Sequence, residues 1–450
     1  MIVGESNSDF EMVVVGLGKT GLSCARFLSA LGVAYAVTDS RTEPPGASVL
    51  ARELPGVRQI LGGFDFEMLE AANTIVLSPG VDPHSLPASV LSAGVEIIGD
   101  IELFARYAKA PIIAITGSNG KSTVTALLGE ILSNCGFDVR VGGNFGTPAL
   151  ELLSEDNPDF YLLELSSFQL ETTTSLRAQV AAILNISADH LDRHQDMARY
   201  IGAKQRIFQG DGVMVLNADD PSVSVLREPT RSCLCFSAAG ASDAEFVSRE
   251  MNGTPWLFAR EVAVLPVSEL GIRGSHNVAN ALAALALADV IGVQGASSSE
   301  VLRSFTGLTH RCQLVAHISG VDWIDDSKAT NVGAARAAIE GLSGYQSIVL
   351  IAGGQGKGAD FSPLLESAQG RVKAVVVLGE DASQIRDALA DKLHVVLADS
   401  LADAVAQAGD LVGEGEAVLL SPACASHDMF KDFAARGREF ATQVRGRLLQ

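Results

Sequence analysis

The chain has 450 residues, of which 47% are hydrophobic and 19% are charged. These proportions exclude a disordered chain, and the length predicts two to four domains rather than one. The net charge of −20 argues against a nucleic-acid partner, because no overall positive field would attract phosphates.

The N-terminal residues, the cysteines and the longest apolar run bear on location. Residues 1–10 carry acids and serines rather than a basic region before an apolar one, so we expect no secretion signal. Six scattered cysteines without a CxxC pair are typical of reduced, mostly buried thiols. Residues 278–293 are interrupted by Asn280 and Asp289, which predicts a buried alanine-rich helix rather than a membrane span. The expected location is the cytoplasm.

The first segment, residues 1–100, opens with a strand, a glycine turn and a helix. The turn is residues 16–21, GLGKTG, and a second strand ends at Asp39. This pattern predicts a Rossmann-like domain and is typical of dinucleotide sites, although such a turn accepts any diphosphate. A further turn at residues 78–80, SPG, belongs at the ligand-binding edge of the same sheet. A purely structural role for these glycines stays open at this point.

The middle segment, residues 101–307, begins with a strand and a glycine-rich loop that opens a helix. Residues 115–123 read ITGSNGKST, with Ile115 where the general phosphate-loop pattern has a glycine. The glycines let backbone N–H groups face an anion, and the helix N-terminus adds partial positive charge. Lys121 would reach the outer phosphates, and the Ser122 hydroxyl is placed to bind Mg²⁺. The sequence therefore predicts an ATP or GTP site rather than a plain glycine turn.

Three later clusters extend this segment. Glu164 lies in a strand-like apolar run, where a buried carboxylate needs a metal or an ion-pair partner. His190 follows another strand beside carboxylates, so it is a candidate for the Mg²⁺ shell, in which oxygen ligands dominate. Lys204, on pattern alone, is an ordinary solvated helix lysine. Asn277 and Asn280 share one face near a helix start, where they would cap the helix or bind a base edge.

The last segment, residues 308–450, alternates apolar runs with helix-length spacers, which predicts parallel strands and a third α/β domain. The runs are residues 347–352, 374–378, 394–397 and 417–420. Polar clusters follow strand ends at residues 325–331, 353–357 and 421–426. Lys328 and Lys357 in these clusters would suit a small dicarboxylate, and solvated loop lysines are the competing interpretation.

Taken together and in this order, these clusters resemble the Mur ligase family of ATP-dependent amide-bond-forming enzymes over nearly the whole chain. The motifs that carry the resemblance are residues 115–123 (ITGSNGKST), 164–170 (ELSSFQL), 189–193 (DHLDR), 326–331 (DSKATN) and 421–426 (SPACAS). The first three mark the family broadly, and the last two point to its D-glutamate-adding member.

The resemblance implies an α/β fold of three domains. An N-terminal Rossmann-like domain at residues 1–100 would bind a UDP substrate. A central P-loop ATPase-like domain with a mostly parallel sheet, residues 101–307, would bind ATP. A C-terminal Rossmann-like domain at residues 308–450 would bind the amino acid.

The implied reaction is ATP-dependent ligation of D-glutamate to UDP-N-acetylmuramoyl-L-alanine through an acyl phosphate. It would belong to cytoplasmic peptidoglycan precursor synthesis, on which cell wall, cell shape and cell division depend. The implied cofactors are ATP and two Mg²⁺ ions. The expected partners are the small-molecule substrates, with no nucleic acid and no membrane span, and the expected state is a monomer.

The resemblance also implies a role for three groups of binding residues. Those implied to hold the UDP substrate are Gly18, Lys19, Thr20, Asp39, Ser40, Ser78, Gly80 and Asn144. Those implied to bind ATP are Gly117, Ser118, Asn119, Gly120, Lys121, Ser122, Thr123, Asn277, Asn280, Arg311 and Asp326. Those implied to bind D-glutamate are Lys328, Thr330, Lys357, Ser426 and Phe433. His427 and Gln355 depart from the family pattern, which has an apolar residue and commonly an acid there.

The implied catalytic residues are Lys121, Glu164, His190 and Lys204. Lys121 would bind the ATP phosphates, while the two Mg²⁺ ions would lie among Ser122, Glu164, His190 and Lys204. Lys204 matches the family's carbamylated lysine, which acts as a carboxylate near the second metal. This implied role replaces the solvated lysine that the local pattern predicts.

Other functions share part of these patterns. A sister ligase that adds another amino acid, or a folate polyglutamate synthetase, has the same ATP motifs, but the diphosphate turn at residues 16–21 argues against the folate enzyme. An NAD(P)-dependent dehydrogenase would use that turn with Asp39 and would leave residues 120–122 and 421–426 without a role. A nucleotide-gated binding protein without chemistry is a third class.

Overall fold

The computed structural model describes residues 10–92, 94–272, 274–342 and 344–447. Their strands form three sheets of five, nine and six strands, one in each of the three predicted segments. The α/β fold class is therefore confirmed. The exact boundaries at residues 100 and 307 stay a prediction.

The N-terminal domain is a five-stranded parallel sheet with the order β3-β2-β1-β4-β5. Its elements are β1 (Met12–Val15), α1 (Lys19–Ala30), β2 (Tyr35–Asp39), α2 (Ala47–Glu53), β3 (Arg58–Leu61), α3 (Phe66–Ala71), β4 (Thr74–Leu77), α4 (Ala88–Ser92), β5 (Glu96–Gly99) and α5 (Asp100–Tyr107). The strand order reverses at β1, so the turns after β1 and β4 face the crevice in which such sheets bind ligands.

The central domain has a nine-stranded sheet with the order β14-β13-β12-β11-β10-β9-β6-β8-β7. Its first half contains β6 (Ile112–Thr116), α6 (Lys121–Asn134), β7 (Val139–Gly143), β8 (Phe160–Glu164), α7 (Ser167–Glu171), β9 (Val180–Ile183), α8 (Leu191–His194) and α9 (Met197–Gln205). Its second half contains β10 (Val213–Asn217), α10 (Pro221–Ser224), β11 (Cys233–Ser237), β12 (Phe246–Met251), β13 (Thr254–Ala259), β14 (Val262–Pro266), α11 (Ser275–Val290) and α12 (Ser299–Ser304). Only β12–β13 and β13–β14 pair antiparallel in the part of this sheet that the structure describes.

Two features of the central domain follow directly from its sequence. The alanine-rich helix α11 is apolar on most of its surface and packs between α6 and strands β11 and β12, so it is buried as predicted. Strand β9 ends at Ile183, and the chain then runs beside the phosphate loop, where Asn185 O accepts a hydrogen bond from Ser118 N–H.

The C-terminal domain has a six-stranded sheet with the order β15-β16-β20-β17-β18-β19. Its elements are β15 (Gln313–Ile318), β16 (Val321–Asp325), α13 (Val332–Gly341), β17 (Ile348–Gly353), α14 (Pro363–Ala368), β18 (Val372–Leu378), α15 (Ala382–Leu389), β19 (His394–Leu397), α16 (Leu401–Leu411), β20 (Ala417–Leu420) and α17 (Phe433–Gly446). Strand β15 is antiparallel to β16, and the remaining pairs are parallel.

The first two domains share one apolar core. Buried Leu17 of the N-terminal domain and buried Tyr161 of the central domain belong to the same cluster. Glu102 on α5 adds a polar junction, because its carboxylate accepts hydrogen bonds from the backbone N–H groups of Thr174 (2.6 Å) and Ser175 (2.7 Å) in the central domain. The carboxyl edges of the two sheets are therefore held facing each other.

All six cysteines are free, and Cys24, Cys235 and Cys424 are buried while the others are half-buried. Among the described residues, no helix is both long enough and apolar enough to cross a membrane.

Candidate active site

Two adjoining cavities lie where the three domains meet. The first has a volume of about 790 Å³ and lies between the central and C-terminal domains, and the second has about 860 Å³ and opens toward the N-terminal domain. The residues that line both cavities are Pro79, Gly80, Ser122, Asn144, Glu164, Leu308, Arg311, Lys328 and Phe433. A substrate in the second cavity can therefore extend toward a nucleotide in the first.

The phosphate loop forms between β6 and α6, as predicted. Gly120 has a left-handed backbone (φ 82°), and a Cβ atom there would lie 2.4 Å from Asn280 Oδ1. Both restrictions require glycine at this position. The predicted loop residues from Ser118 to Thr123 line the first cavity. Gly117 does not line it, and instead its carbonyl oxygen accepts hydrogen bonds from two lysines.

Lys121 is folded back onto its own loop. Its Nζ donates to the carbonyl oxygens of Gly117 (2.7 Å) and Ser118 (2.9 Å). Burial lowers the pKa of this amine, and the carboxylates of Glu164 and Asp189 oppose that shift. These contacts place a cationic side chain over the phosphate loop.

Lys204 is buried beside Lys121, with 1% of the residue exposed. Its Nζ donates to Gly117 O at 2.9 Å, so the interpretation of Lys204 as an ordinary solvated lysine is wrong. Burial lowers the pKa of this amine well below its ordinary value, and the charge of Lys121 lowers it further. The available sequence signal was helical spacing, since Tyr200, Ala203 and Lys204 form the buried face of α9.

The side chains of Glu164 and His190 carry atoms that could serve as ligands of a divalent cation. Glu164 ends β8, and its Oε1 accepts a hydrogen bond from Asn144 Nδ2 at 2.6 Å. Its buried Oε2 has no hydrogen-bond partner among the residues that the structure describes. Burial lowers the pKa of His190 to about 4 against the opposing charge of Asp189, so the imidazole is neutral at physiological pH. An unpaired carboxylate oxygen and a neutral imidazole both fit a bound cation.

No group of three His, Cys, Asp or Glu side chains among the described residues is placed to hold a metal. The predicted ligand set contains only two residues of these types, Glu164 and His190, with Ser122 and a modified Lys204 as the others. Ser122 Oγ accepts a hydrogen bond from Arg311 Nη2 at 3.0 Å. The oxygen and nitrogen atoms of these four side chains are therefore compatible with the predicted Mg²⁺ ligands, although no separate cluster of acidic residues in the described part of the chain marks the site.

The remaining residues predicted to bind ATP also line the first cavity, and Asn280 and Arg311 lie close to the phosphate loop. Asn280 Nδ2 donates to Asn277 Oδ1 at 3.0 Å, so the two amides share a face near the start of α11. Arg311 and Asp326 line the same cavity. Burial raises the pKa of Asp326 to about 7, although its Oδ2 accepts a hydrogen bond from Ser421 Oγ at 2.8 Å.

All eight residues predicted to hold a UDP substrate line the second cavity. Asp39 is already engaged there, because its Oδ2 accepts from Leu17 N–H (2.7 Å) and from Arg41 Nη2 (2.7 Å), and its Oδ1 from Arg41 Nε (2.9 Å). In the dehydrogenase interpretation this carboxylate would have to bind a ribose, but protein donors hold it. Arg41, which also lines the cavity, was missed by the sequence argument.

We expect Asp39→Asn to lower the free energy of unfolding at pH 7 by roughly 1–3 kcal/mol, because an amide cannot accept all of these hydrogen bonds. Burial raises the pKa of the Asp39 carboxyl, but hydrogen bonds from Arg41 and Leu17 outweigh burial and lower it to about 2. The stabilisation is therefore complete above the unfolded-state pKa near ~4 and is lost as the pH falls toward 2. Denaturant unfolding between pH 7 and pH 3 measures this dependence.

Asp65→Asn is the matched control. Asp65 caps α3 by accepting Met68 N–H, and asparagine caps a helix equally well, so we expect a change of only a few tenths of a kcal/mol. A difference between Asp39→Asn and the parent protein that stayed constant as the pH fell would contradict the assigned contacts.

The five residues predicted to bind D-glutamate also line the first cavity. Lys328 Nζ lies 4.1 Å from the centroid of the Phe433 ring, and burial lowers the pKa of this lysine to about 8. Lys357 Nζ lies 3.8 Å from Asp189 Oδ1. Two lysines beside hydroxyl groups give this end of the cavity a positive charge that suits a dicarboxylate.

The two positions that depart from the family pattern have different environments. His427 is exposed and lines the first cavity. Gln355 exchanges two backbone hydrogen bonds with Ala425, so its backbone joins the two loops that carry Lys357 and Ser426.

Besides Arg41, three further site residues were missed by the sequence argument. Asn185 fixes the phosphate loop, because its side chain accepts from Asn119 N–H (2.8 Å) and donates to Asn119 O (3.0 Å). Asp189 and Asn331 form a hydrogen bond between the central and C-terminal domains. Asp189 and Asn331 lie within the motifs at residues 189–193 and 326–331, and all three residues follow strand ends at the edges where parallel sheets bind ligands. Motif membership and position were therefore the available sequence signals.

Three α/β domains around a phosphate loop, with two connected cavities at their junction, are typical of a multidomain nucleotide-dependent enzyme. Three family models match in chain order: the Mur ligase MurD-like N-terminal domain at residues 10–99, the Mur ligase middle domain at 115–288, and the Mur ligase glutamate ligase domain at 310–424. The chain belongs to the Mur ligase family.

Curated relatives and solved structures agree with this assignment. The UDP-N-acetylmuramoylalanine–D-glutamate ligase of Nitrosococcus oceani is 50% identical over 96% of both chains. The ligase of the same name from Pseudomonas aeruginosa is 50% identical over 97% of this chain and 98% of its own. These relatives confirm the predicted resemblance to MurD within the family.

The solved structures support the fold alone, because their sequences are distant. UDP-N-acetylmuramate–alanine ligase MurC from Thermotoga maritima has a TM-score of 0.60 at 20% identity, covering 97% of this chain and 100% of its own. A pseudomurein peptide ligase type C from Methanothermus fervidus has a TM-score of 0.63 at 18% identity, covering 96% and 100%.

Proposed function

We propose that this protein ligates D-glutamate to UDP-N-acetylmuramoyl-L-alanine at the expense of ATP, in the synthesis of peptidoglycan precursors. The observation that carries the proposal is the 50% identity to D-glutamate ligases over 96% of both chains. The connected cavities support it, because the reaction needs a nucleotide, a nucleotide-linked carboxylate and an amino acid at one junction.

In the first step, an oxygen of the L-alanyl carboxylate attacks the γ-phosphorus of ATP, and ADP leaves. We infer that Lys121 binds the outer phosphate oxygens, because its Nζ already lies over the phosphate loop. Arg311, beside Ser122, adds a second cation at this end of the cavity. These charges offset the repulsion between a carboxylate and a polyanion and align the two reacting groups.

In the second step, the amine of D-glutamate attacks the carbonyl carbon of the acyl phosphate, and phosphate leaves as the amide bond forms. Lys328, Thr330, Lys357, Ser426 and Phe433 are the proposed amino-acid pocket. The amine loses a proton in this step, and the two lysines hold the carboxylates of D-glutamate. No side chain of the protein needs to act as a nucleophile.

Mg²⁺ use and ATP dependence are general in this family, and we propose two Mg²⁺ ions held by Ser122, Glu164, His190 and carbamylated Lys204. When bound, Mg²⁺ neutralises charge on the phosphate oxygens. The unpaired Oε2 of Glu164 and the neutral imidazole of His190 support this ligand set.

We also propose that the enzyme acts as a monomer in the cytoplasm. One chain brings all three predicted binding sites to one junction, so no second copy is needed to complete them. The cytoplasm supplies the ATP that the reaction consumes.

The test is phosphate release with ATP, Mg²⁺ and UDP-N-acetylmuramoyl-L-alanine in the presence of D-glutamate, L-glutamate or no amino acid. We expect release only with D-glutamate, together with a product heavier by one glutamyl residue in mass spectrometry. Release with a different amino acid would move the protein to a sister ligase, and no release with any amino acid would overturn the proposal.

A further inference from the structure

Asn331 performs two tasks with one amide. Its Oδ1 caps helix α13 by accepting Ala334 N–H at 2.8 Å, and it also accepts from Asn119 Nδ2 at 3.4 Å. Its Nδ2 donates to Asn119 Oδ1 (3.2 Å) and to Asp189 Oδ2 (3.0 Å). The residue is 7% exposed, so these contacts are shielded from water.

The partner residue, Asn119, lies in the phosphate loop. Asn185 fixes its backbone on both sides, while its side chain is directed toward the C-terminal domain. The start of α13 comes very close to this loop, since a Cβ atom on Gly333 would lie 2.9 Å from Ser187 Oγ and 3.4 Å from Asn119 Nδ2. Glycine at position 333 thus permits the approach that the two amides need.

Asp189 also contacts a second side chain of the C-terminal domain. Its Oδ1 lies 3.8 Å from Nζ of Lys357, which belongs to the proposed amino-acid pocket. The same carboxylate therefore contacts two different loops of the C-terminal domain, one through Asn331 and one through Lys357. In the sequence, Asp189 comes directly before His190, which belongs to the proposed metal site.

We propose that Asn119, Asp189 and Asn331, which we call the latch, hold the C-terminal domain against the phosphate loop and thereby couple binding of the amino acid to binding of ATP. Asn331 is a positioning residue. It ends the segment that carries Lys328 and Thr330, so its contacts fix where these side chains lie relative to the phosphates. Coupling of this kind is reciprocal, because each ligand favours the same closed arrangement.

Asn331→Ser separates the two tasks of the amide. Serine caps a helix about as well as asparagine, but its shorter side chain cannot reach Asn119 and Asp189. We expect kcat/KM for D-glutamate to fall roughly tenfold, since two or three partly buried hydrogen bonds are lost. The KM for UDP-N-acetylmuramoyl-L-alanine should change less, because the residues predicted to hold this substrate belong to the N-terminal and central domains.

Ser400→Ala is the matched control in the same domain. Ser400 is exposed and caps α16 within the C-terminal domain by accepting Asp403 N–H. It should lower the thermal midpoint somewhat and leave both KM values unchanged. A double-mutant cycle with Asn119→Ala tests the pairing, and we expect the double variant to lose little more than either single variant.

The latch is also tested without turnover, by small-angle scattering with Mg²⁺ and a non-hydrolysable ATP analogue. We expect Asn331→Ser to have a larger radius of gyration than the parent protein. The inference rests on the proposed function only for its kinetic test. If the parent protein releases no phosphate with D-glutamate, the proposed function is wrong. The radii of gyration of the parent protein and of Asn331→Ser then still test the latch. Equal radii and an unchanged kcat/KM for Asn331→Ser would overturn the latch.

Discussion

Lys121→Ala is expected to abolish ATP-dependent product formation, with a loss on the order of a thousandfold or more. The reaction brings a carboxylate against a triphosphate, so a cation at the phosphate loop stabilises the transition state more than the ground state. Lys121 is the cation whose Nζ lies over the loop, at 2.7 Å from Gly117 O and 2.9 Å from Ser118 O. The measurement is phosphate release under saturating D-glutamate.

The fold should survive this change. Gly117 O keeps a donor in Lys204, and only the Ser118 carbonyl loses its lysine, which costs about 1–3 kcal/mol at most. Lys109→Ala, at an exposed position beside the central domain, is the control and should be fully active. Appreciable product from a folded Lys121→Ala variant would remove the proposed role of this lysine.

The strands of this fold could be predicted where short apolar runs lie between glycine and polar turns. Strands β19 and β20 coincide residue for residue with the predicted runs 394–397 and 417–420. Burial on both faces of a parallel sheet imposes such runs, so the sequence records them locally. The phosphate loop could be predicted for the same reason, because its glycines and its lysine lie within one turn.

The remaining features depend on contacts between distant parts of the chain. Lys204 has the spacing of a helix face, but its burial depends on Gly117, 87 residues away. Asn331 and Asn119 are 212 residues apart. From its local sequence alone, each of them would be interpreted as a helix cap or a loop residue. Asp39 matches a ribose-binding acid until Arg41 and Leu17 are seen to hold it. Tertiary contacts decide these roles, and no local pattern encodes them.

The roles assigned to individual site residues stay predictions. All of the predicted residues except Gly117 line the two connected cavities, which is a condition for those roles. The test of each role is a kinetic one, and the sharpest concerns the second lysine at the phosphate loop.

Lys204→Ala is expected to lose most activity and to regain much of it when acetate or propionate is added. Lys121 and Lys204 both donate to the same carbonyl, Gly117 O, at 2.7 Å and 2.9 Å. Two ammonium groups that are this close together and this deeply buried repel each other. Burial and the charge of Lys121 therefore lower the pKa of Lys204. A neutral amine is the form that adds to carbon dioxide, giving a carbamate and releasing one proton.

Carbamylation would convert the less favourable of two buried cations into an anion beside Lys121. A carbamate also supplies the carboxylate oxygens that a divalent cation prefers, which the free amine cannot do. Alanine at this position leaves a buried space in which a small carboxylate can take the place of the carbamate. Rescue should therefore depend on the size of the added acid and should fall once it exceeds the volume of the missing side chain.

Two variants make this prediction specific. Lys204→Arg keeps a permanent charge and forms no carbamate, so we expect it to be inactive and not rescued. Lys121→Ala should not respond to acetate, because its proposed task needs a cation. With ¹³C-labelled bicarbonate, the folded parent protein should show a carbamate carbon signal by NMR that Lys204→Ala lacks. An unimpaired Lys204→Ala would show that neither the amine nor a carbamate at this position is needed. An impaired variant without rescue, in a parent that lacks the signal, would show that the amine itself is the working group.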